Sequence, residues 1–566
     1  MKLITQSRDK MKIAVSELIV KYMERLGIEY IFGMPGAHIL PVYDSLYDSN
    51  IKSVLVKHEQ GAAFMAGGYA RASGKISACI TTAGPGATNL VTGIANAYAD
   101  KQPILIITGE TSTYIFGKGG LQESSGEGGS IDQTGLFKGI TKYSKIVERT
   151  DYLAHVLNQA AKILLSANSG PVLLSFPYNV QKELVDASLL DSINFGIRHH
   201  PVQQPSMPVD ALAQLIIAAQ HPVIVAGYGC IKSGAQEVVA QLSEAMGIPV
   251  TTSLKGKGII GDGSGLSLGC LGVTSNGDAY QYITEHADLL IFLGAGFNER
   301  TSYLWDAKLL ANKKVAQIDH DPEQLEKVFK ADVAIHGDIR HALSEVLGKI
   351  ADSAAGRKNL AKFNLHTEAL KSKSSDKSND DLQSQFALVK RFYAKLEANF
   401  PENAMIFDDN IIFAQSYFNV SSGNRYFPNS GISSLGHAIP AAIGARFAAH
   451  KPTFAILGDG GFQMCCMEIM TAVNYGIPLN IVVFNNATMS LIRKNQVQLY
   501  NKRFIDCDFV NPDFHYLALS FGIGHKKIVT DADLDDLFAN SDLTASINLI
   551  EIMIDKDAFP SYRSGR

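Results

Sequence analysis

Gly458-Asp459-Gly460 is followed, after 24 intervening residues, by Asn485-Asn486. A short apolar run precedes each motif, Thr453-Phe454-Ala455-Ile456-Leu457 before the first and Ile481-Val482-Val483-Phe484 before the second. Runs of this length and composition have the look of buried strands. An acid and a pair of amides leaving two such strands constrain the chain to an open α/β sheet, because those sheets bind ligands at the carboxyl ends of neighbouring parallel strands. A carboxylate, an amide oxygen and backbone carbonyls form a hard oxygen site, which suits Mg²⁺ bridging a diphosphate. The glycines beside the acid let backbone approach phosphate oxygens closely. Taken singly, Gly-Asp-Gly reads as a turn and Asn-Asn as a loop. The pairing, each member behind a strand, is the specific signal.

The same alternation of strand-like and helix-like pattern recurs along the chain. In the first stretch, to about residue 185, the strand-like runs are Tyr30-Ile31-Phe32-Gly33, Ala78-Cys79-Ile80-Thr81, Ile104-Leu105-Ile106-Ile107 and Val172-Leu173-Leu174-Ser175. In the second they are Pro222 to Gly227, Asp288 to Gly294 and Val315 to Asp319. Strands feeding helices in this order imply parallel sheets covered on both faces. The expected fold class is therefore α/β, with three doubly wound parallel-sheet domains. The boundaries expected are residues 1–185, 186–350, a polar solvated linker at 351–385, and 386–566. Gly119 to Ser130 is a loop rich in Gly, Ser and Glu, of a length that often borders an active site.

Composition narrows the function. At 566 residues with a formal net charge of −4, nothing basic stands ready for nucleic acid. No apolar stretch reaches the roughly 18 residues of a membrane span, and Met1 to Lys10 lacks the apolar core of a signal peptide. Six scattered cysteines show no metal-ligand spacing, which points to reduced thiols in a cytoplasmic protein. Cys465-Cys466 reads more naturally as a pair of small core residues than as a redox pair. His58-Glu59-Gln60 follows Val54-Leu55-Val56 and opens a helix of small residues, Gly61 to Gly68. By itself Glu59 is a helix-start charge favoured by the macrodipole.

Together these motifs resemble the thiamine diphosphate-dependent acetohydroxyacid (acetolactate) synthase family, FAD-carrying branch, over nearly the whole chain. Phe32-Gly33-Met34-Pro35-Gly36, Glu59-Gln60-Gly61-Ala62, Gly84-Pro85-Gly86-Ala87-Thr88-Asn89-Leu90 and Pro440-Ala441-Ala442-Ile443-Gly444 carry the resemblance. It implies a pyrimidine-binding domain, a central FAD-type domain and a diphosphate-binding domain. It implies Mg²⁺ held by Asp459, Asn486 and a carbonyl at Thr488, with Gly460, Gly461, Asp409 and Asn410 near the diphosphate. Ile412 and Phe413 replace polar residues that the family places there. Glu59 takes the place of the glutamate that contacts the aminopyrimidine and activates the cofactor, by a hydrogen bond in a dry site. Leu435 takes the place of the bulky side chain beneath the cofactor, and the Ser433 carbonyl accepts from its amino group. The family's site forms between two subunits, so a homodimer or homotetramer is expected.

The middle stretch resembles the FAD-carrying branch through Gly227-Tyr228-Gly229, Gly272, Gly294, Arg300, Asp319 and Asp338, while Asn168 stands where an FAD-contacting Arg is usual. There the flavin is structural. Departures gather at the acceptor pocket. Asn495 stands where synthases have a Trp, Tyr178 where they have a Lys, and His38 replaces a small residue after Pro35-Gly36. Arg300 remains where synthases bind the acceptor carboxylate. Gln122 is a candidate for the glutamine aimed at the intermediate. The resemblance implies decarboxylation of pyruvate and transfer of the two-carbon unit to a second carbonyl, as in acetolactate synthesis. Losing an indole opens volume, so the same chemistry on a bulky ketone or nucleotide-linked keto-sugar, as in branched-sugar (yersiniose-type) biosynthesis, is a further reading. A simple 2-keto acid decarboxylase with His38 as acid is another.

Overall fold

The structure, a computed structural model, describes residues 12–196, 206–351 and 385–559. The linker expected at 351–385 therefore lies, apart from its end residues, outside the described residues. Among those described, the strands of the first sheet are β2 (Tyr30–Gly33), β3 (Lys52–Leu55), β4 (Ser77–Thr81), β5 (Ile104–Glu110), β6 (Tyr143–Ile146) and β7 (Val172–Pro177), preceded by β1 (Lys12–Ala14) and followed by β8 (Leu184–Asp186). The last two pair with each other, antiparallel. The sheet runs β3-β2-β4-β5-β7-β6, parallel throughout. Its central strands are apolar because helices cover both faces: Ile104, Leu105, Ile106 and Ile107 are each fully buried. Each such side chain stabilises the fold by about 1.5–3 kcal/mol relative to exposure.

The second sheet contains β9 (Pro222–Ala226), β10 (Val250–Thr252), β11 (Ser267–Cys270), β12 (Leu289–Leu293), β13 (Lys314–Asp319) and β14 (Val333–His336), in the order β11-β10-β9-β12-β13-β14. The third contains β15 (Met405–Asp408), β16 (Arg425–Pro428), β17 (Thr453–Gly458), β18 (Leu479–Asn485), β19 (Gly524–Ile528) and β20 (Ile547–Met553), in the order β16-β15-β17-β18-β20-β19. The two strands behind the Gly-Asp-Gly and Asn-Asn motifs, β17 and β18, are parallel neighbours, as their residues imply. The α/β class and three parallel sheets match the sequence expectation.

Compactness divides the chain differently. One unit comprises Met1–His199, Gly431–Lys451 and Gly461–Leu479, and the other His200–Ser430, Pro452–Gly460 and Asn480–Arg566. Within the first unit, the Glu59–Ser73 helix crosses the Ala438–Ala448 helix at backbone contact. A Cβ on Gly68 would overlap the Ala441 carbonyl, and one on Gly444 the Met65 carbonyl. The small-residue helix thus exists to let a second helix lie against it.

Candidate functional site

Glu59 is the first residue of its helix and is only 9% exposed. The turn before it is clamped. The His58 ring accepts the Gln60 N–H at 3.2 Å, and Glu468 Oε1 accepts the N–H groups of Lys57 and His58 at 3.1 and 2.9 Å. Burial raises the Glu468 pKa, partly offset by the Thr471 hydroxyl at 2.7 Å. Asn89 then fixes the Glu59 carboxylate, donating from Nδ2 to Oε2 at 3.0 Å. Neither Glu468 nor Asn89 was singled out by sequence as a partner of Glu59. Asn89 lies inside the Gly84-to-Leu90 motif, whereas no local pattern marks Glu468.

On the same carboxyl edge, after β2, His38 Nδ1 stands 3.3 Å from Gln122 Oε1, and the Thr82 hydroxyl donates to that oxygen at 3.3 Å. Gln122 and His38, candidates on separate segments, are therefore brought together. The loop carrying Gln122 is ordered by Glu123. Its carboxylate accepts the N–H groups of Gly117, Gly119 and Gly120 at 2.5, 3.1 and 2.9 Å, and these bonds, the Gly117 one first, hold its pKa below the ordinary value. Tyr178 opens a short helix after β7 and stacks under the Lys182 ammonium at 4.2 Å.

Also in the first unit, Leu435 is 40% exposed, which sets it apart from a core leucine. It follows Ser433, whose φ is +55°, and precedes Gly436 at +80°. Gly461 lies in this unit as well, next to Gly436. Cys465 and Cys466, expected in the core, are only half-buried. They fall at the end of the helix after Asp459, which turns one side to solvent.

In the second unit the ends of β17 and β18 are stitched together by Asp459. Oδ2 accepts from the N–H groups of Asn486 and Ala487 at 3.1 and 2.6 Å and from Asn511 Nδ2 at 2.8 Å, and Oδ1 accepts the Gly460 N–H at 2.9 Å. Burial pushes the Asp459 pKa up, and the Asn511 bond leads the opposing causes. Asn486 commits its Nδ2 to Ser490 Oγ at 2.6 Å, which turns the amide's oxygen end away from that bond. Thr488 commits its hydroxyl to the Cys507 carbonyl at 2.8 Å, leaving its own carbonyl as the donor toward a cation. Among the described residues no group of three His, Cys, Asp or Glu could hold a metal. A cation here would rely on one carboxylate with amide and carbonyl oxygens, a donor set that fits hard Mg²⁺. Asn511, which also bonds Asn485 Oδ1 at 2.9 Å, escaped the sequence reading.

Asp409 and Asn410 follow β15. The Asn410 N–H is held by Asp408 Oδ1 at 2.7 Å, and burial pushes the Asp408 carboxyl up to about 7. Phe413 packs on Phe386 and Phe484 at ring separations of 4.9 and 5.4 Å. Ile412 and Phe413 thus serve the core. Gln122, Ser433 and Ala487 all have left-handed backbone, with φ of +55°, +55° and +53°. Each such non-glycine residue costs about 1–2 kcal/mol, and strain of this kind gathers at functional sites.

The strand order of the second sheet reverses between β9 and β12, which are parallel neighbours, the place where a doubly wound sheet opens a ligand crevice. Gly227 and Gly229 lie after β9 against Gly294 after β12, so close that a Cβ on Gly227 would overlap the Gly294 carbonyl. Asp319 ends β13 and accepts the Asp321 N–H at 2.9 Å; Asp338 accepts the His341 N–H at 2.8 Å at a helix start. Gly272 packs against Gln415. Arg300 Nη1 is buried without a hydrogen-bond partner among the described residues, as is Asn168 Oδ1. Asn495 is half-buried on the Ser490–Leu499 helix, which the buried Arg493 pins through Asp508 and Asp557, with Nη contacts of 2.8 and 2.7 Å.

Three parallel sheets with an acid on one carboxyl edge and a hard-oxygen loop on another define the class, and family comparison agrees. The thiamine pyrophosphate enzyme N-terminal TPP binding domain matches residues 13–132, the central domain 209–346 and the C-terminal TPP binding domain 410–546. Over 544 residues the chain is 35% identical to the probable acetolactate synthase large subunit of Methanococcus aeolicus, covering 92% of this chain and 88% of that protein. It is 32% identical to the one from Methanocaldococcus jannaschii (97% and 93% covered) and 31% to the acetolactate synthase large subunit of Lactococcus lactis (96% and 92% covered). The chain belongs to the thiamine pyrophosphate enzyme family, in its acetolactate synthase-like branch. It is a thiamine diphosphate-dependent carboligase that decarboxylates pyruvate and transfers the two-carbon unit. No helix among the described residues is long and apolar enough to cross a membrane.

Proposed function

We propose that the acceptor is a second pyruvate and the product acetolactate, formed with Mg²⁺-anchored thiamine diphosphate. The observation that carries this reading is the buried Nη1 of Arg300, which has no hydrogen-bond partner among the described residues. A guanidinium N–H left unmade in the interior is expensive, and the planar carboxylate of a keto acid is the group that satisfies it best. Thiamine diphosphate, when bound, supplies the cationic ring that takes up the electron pair released as CO₂ leaves.

The protein's own groups divide the remaining work. Glu59, held by Asn89, is the acid that exchanges a proton with the aminopyrimidine; Leu435 offers an apolar support and the Ser433 carbonyl an acceptor. Asp459, Asn486 Oδ1 and the Thr488 carbonyl hold Mg²⁺, with Gly460, Gly461, Asp409 and Asn410 on the diphosphate. His38 and Gln122 act on the acceptor side. The central sheet holds FAD at its switch point, on Gly227, Gly229, Gly272, Gly294, Arg300, Asp319 and Asp338. Its strand order, with β10 and β11 stepping one way from β9 and β12, β13 and β14 the other, is that of dinucleotide-binding folds. A homodimer or homotetramer is supported by the apolar side chains of Ile432, Leu435 and Met464, exposed by 46%, 40% and 64% in one chain. Six free cysteines favour a reducing, cytoplasmic setting.

Asn495 favours a second reading, a bulkier carbonyl acceptor, because it leaves space where an indole would stand. Product analysis with labelled pyruvate and a panel of ketones and keto-sugars, in wild type and Asn495→Trp, separates the readings. Acetolactate from both proteins supports the first. A tertiary alcohol from a large ketone, lost about tenfold or more in Asn495→Trp, establishes the second. Acetaldehyde as the sole product would mark a simple decarboxylase.

A further inference from the structure

Gly109 and Glu110 are the last two residues of β5 and are wholly buried in strand. They reach the two halves of the His38–Gln122 pair from below. Gly109 lies against the His38 backbone so closely that a Cβ there would overlap the His38 carbonyl. Gln181 Nε2 donates to the same carbonyl at 2.7 Å, which fixes that half. On the other side Glu110 Oε1 accepts the N–H of Ser124 at 3.0 Å, fourteen residues along, together with the Thr111 N–H at 2.7 Å. Ser124 in turn donates from Oγ to the Gln122 carbonyl at 2.9 Å. The path from β5 to the strained peptide of Gln122 is thus two hydrogen bonds long.

We propose that Glu110 is a positioning residue, tying the Gly-rich loop to β5 so that the Gln122 amide stands against His38 on the acceptor side of the site. The catalytic part rests on the carboligase reading above. A carboxyl group here is costly, since Glu110 Oε2 is buried with no hydrogen-bond partner among the described residues. Burial pushes the carboxyl up to about 7, with the neighbouring Glu123 adding to the rise. A group kept under those conditions is doing something the fold alone does not require, because any apolar side chain would fill the end of β5 more cheaply.

The test compares Glu110→Ala and Glu110→Gln in the full-length protein loaded with thiamine diphosphate and Mg²⁺. Hydrogen exchange over residues 117–130 reads the anchor. The ratio of carbon–carbon bonded product to acetaldehyde, with kcat and KM determined separately, reads the amide. In Glu110→Ala, exchange at Ser124 is expected to quicken at least about tenfold. The product ratio should fall about tenfold, with KM for donor pyruvate within about threefold of wild type. Glu110→Gln, whose amide oxygen accepts the same two N–H groups, should restore both. Should Glu110→Ala not fold, Glu110→Asp, which withdraws the carboxylate by one methylene, carries the same comparison. Unchanged exchange in the Ala or Asp variant overturns the anchor; quickened exchange with an unchanged product ratio overturns its link to Gln122. A wild-type protein that makes no carbon–carbon bond overturns the carboligase reading instead, while the exchange data still decide the anchor.

Discussion

The first and third sheets have the same strand order. Counting from β2 in one and β15 in the other, both run second, first, third, fourth, sixth, fifth. Their carboxyl edges nevertheless carry opposite chemistry. The first presents a buried acid fixed by an amide, Glu59 on Asn89, and an imidazole facing an amide, His38 and Gln122. The third presents a carboxylate bound by four N–H donors among amide and carbonyl oxygens, around Asp459. On the reading proposed above, one edge moves protons and the other holds a charged ligand in place. Topology sets where a site can be, and the residues leaving each strand decide what it does.

The comparison breaks most visibly if each edge loses its acid. Glu59→Gln keeps the shape and removes the proton donor, so kcat should drop by about 10²–10⁴, while thiamine diphosphate affinity by calorimetry stays near wild type. Retained turnover would take the proton chemistry away from the first edge. Asp459→Ala should do the converse. It leaves four N–H groups without their acceptor, each at about 1–3 kcal/mol where buried, and should weaken Mg²⁺-dependent cofactor retention about 100-fold or more. Equal retention with and without Mg²⁺ in both proteins would remove the cation from the third edge.

A smaller effect sharpens the picture of the first edge. Glu110 has its pKa raised from 4.5 to about 7 in the folded protein. Between those values the unfolded chain ionises while the folded carboxyl stays protonated, so its contribution to stability is full below about pH 4.5 and is lost as pH rises toward 7. The midpoint of thermal unfolding of Glu110→Gln should therefore gain on wild type as pH climbs through that interval and level off above it. A difference that is constant with pH would mean that the carboxyl is not desolvated as described.

Glu59 was legible because it opens a helix of small residues, with only Lys57 and His58 between it and Val54-Leu55-Val56, and Asp459 and Asn486 because each stands one residue beyond a buried apolar strand. The parallel pairing of β17 with β18 was legible for the same reason. Their supports were not. Glu468 reaches His58 across 410 positions, Asn511 reaches Asp459 across 52, and His38 meets Gln122 across 84. Nothing local distinguishes Glu468 from a surface glutamate. The cysteine pair misled because small size favours burial on average, while the end of the helix after Asp459 is exposed on one side.

What the sequence alone determined is the alternation of strands and helices, the sheets' parallel character and the acids placed at strand ends, since side-chain chemistry and two short periodicities suffice for these. Tertiary structure decided which distant groups hold those acids, and which non-glycine residues, Gln122, Ser433 and Ala487 among them, adopt left-handed backbone. It also set a carboxyl at the buried end of β5. Those outcomes depend on packing between segments far apart in the chain, where close approach and desolvation act on neighbours that no local pattern specifies.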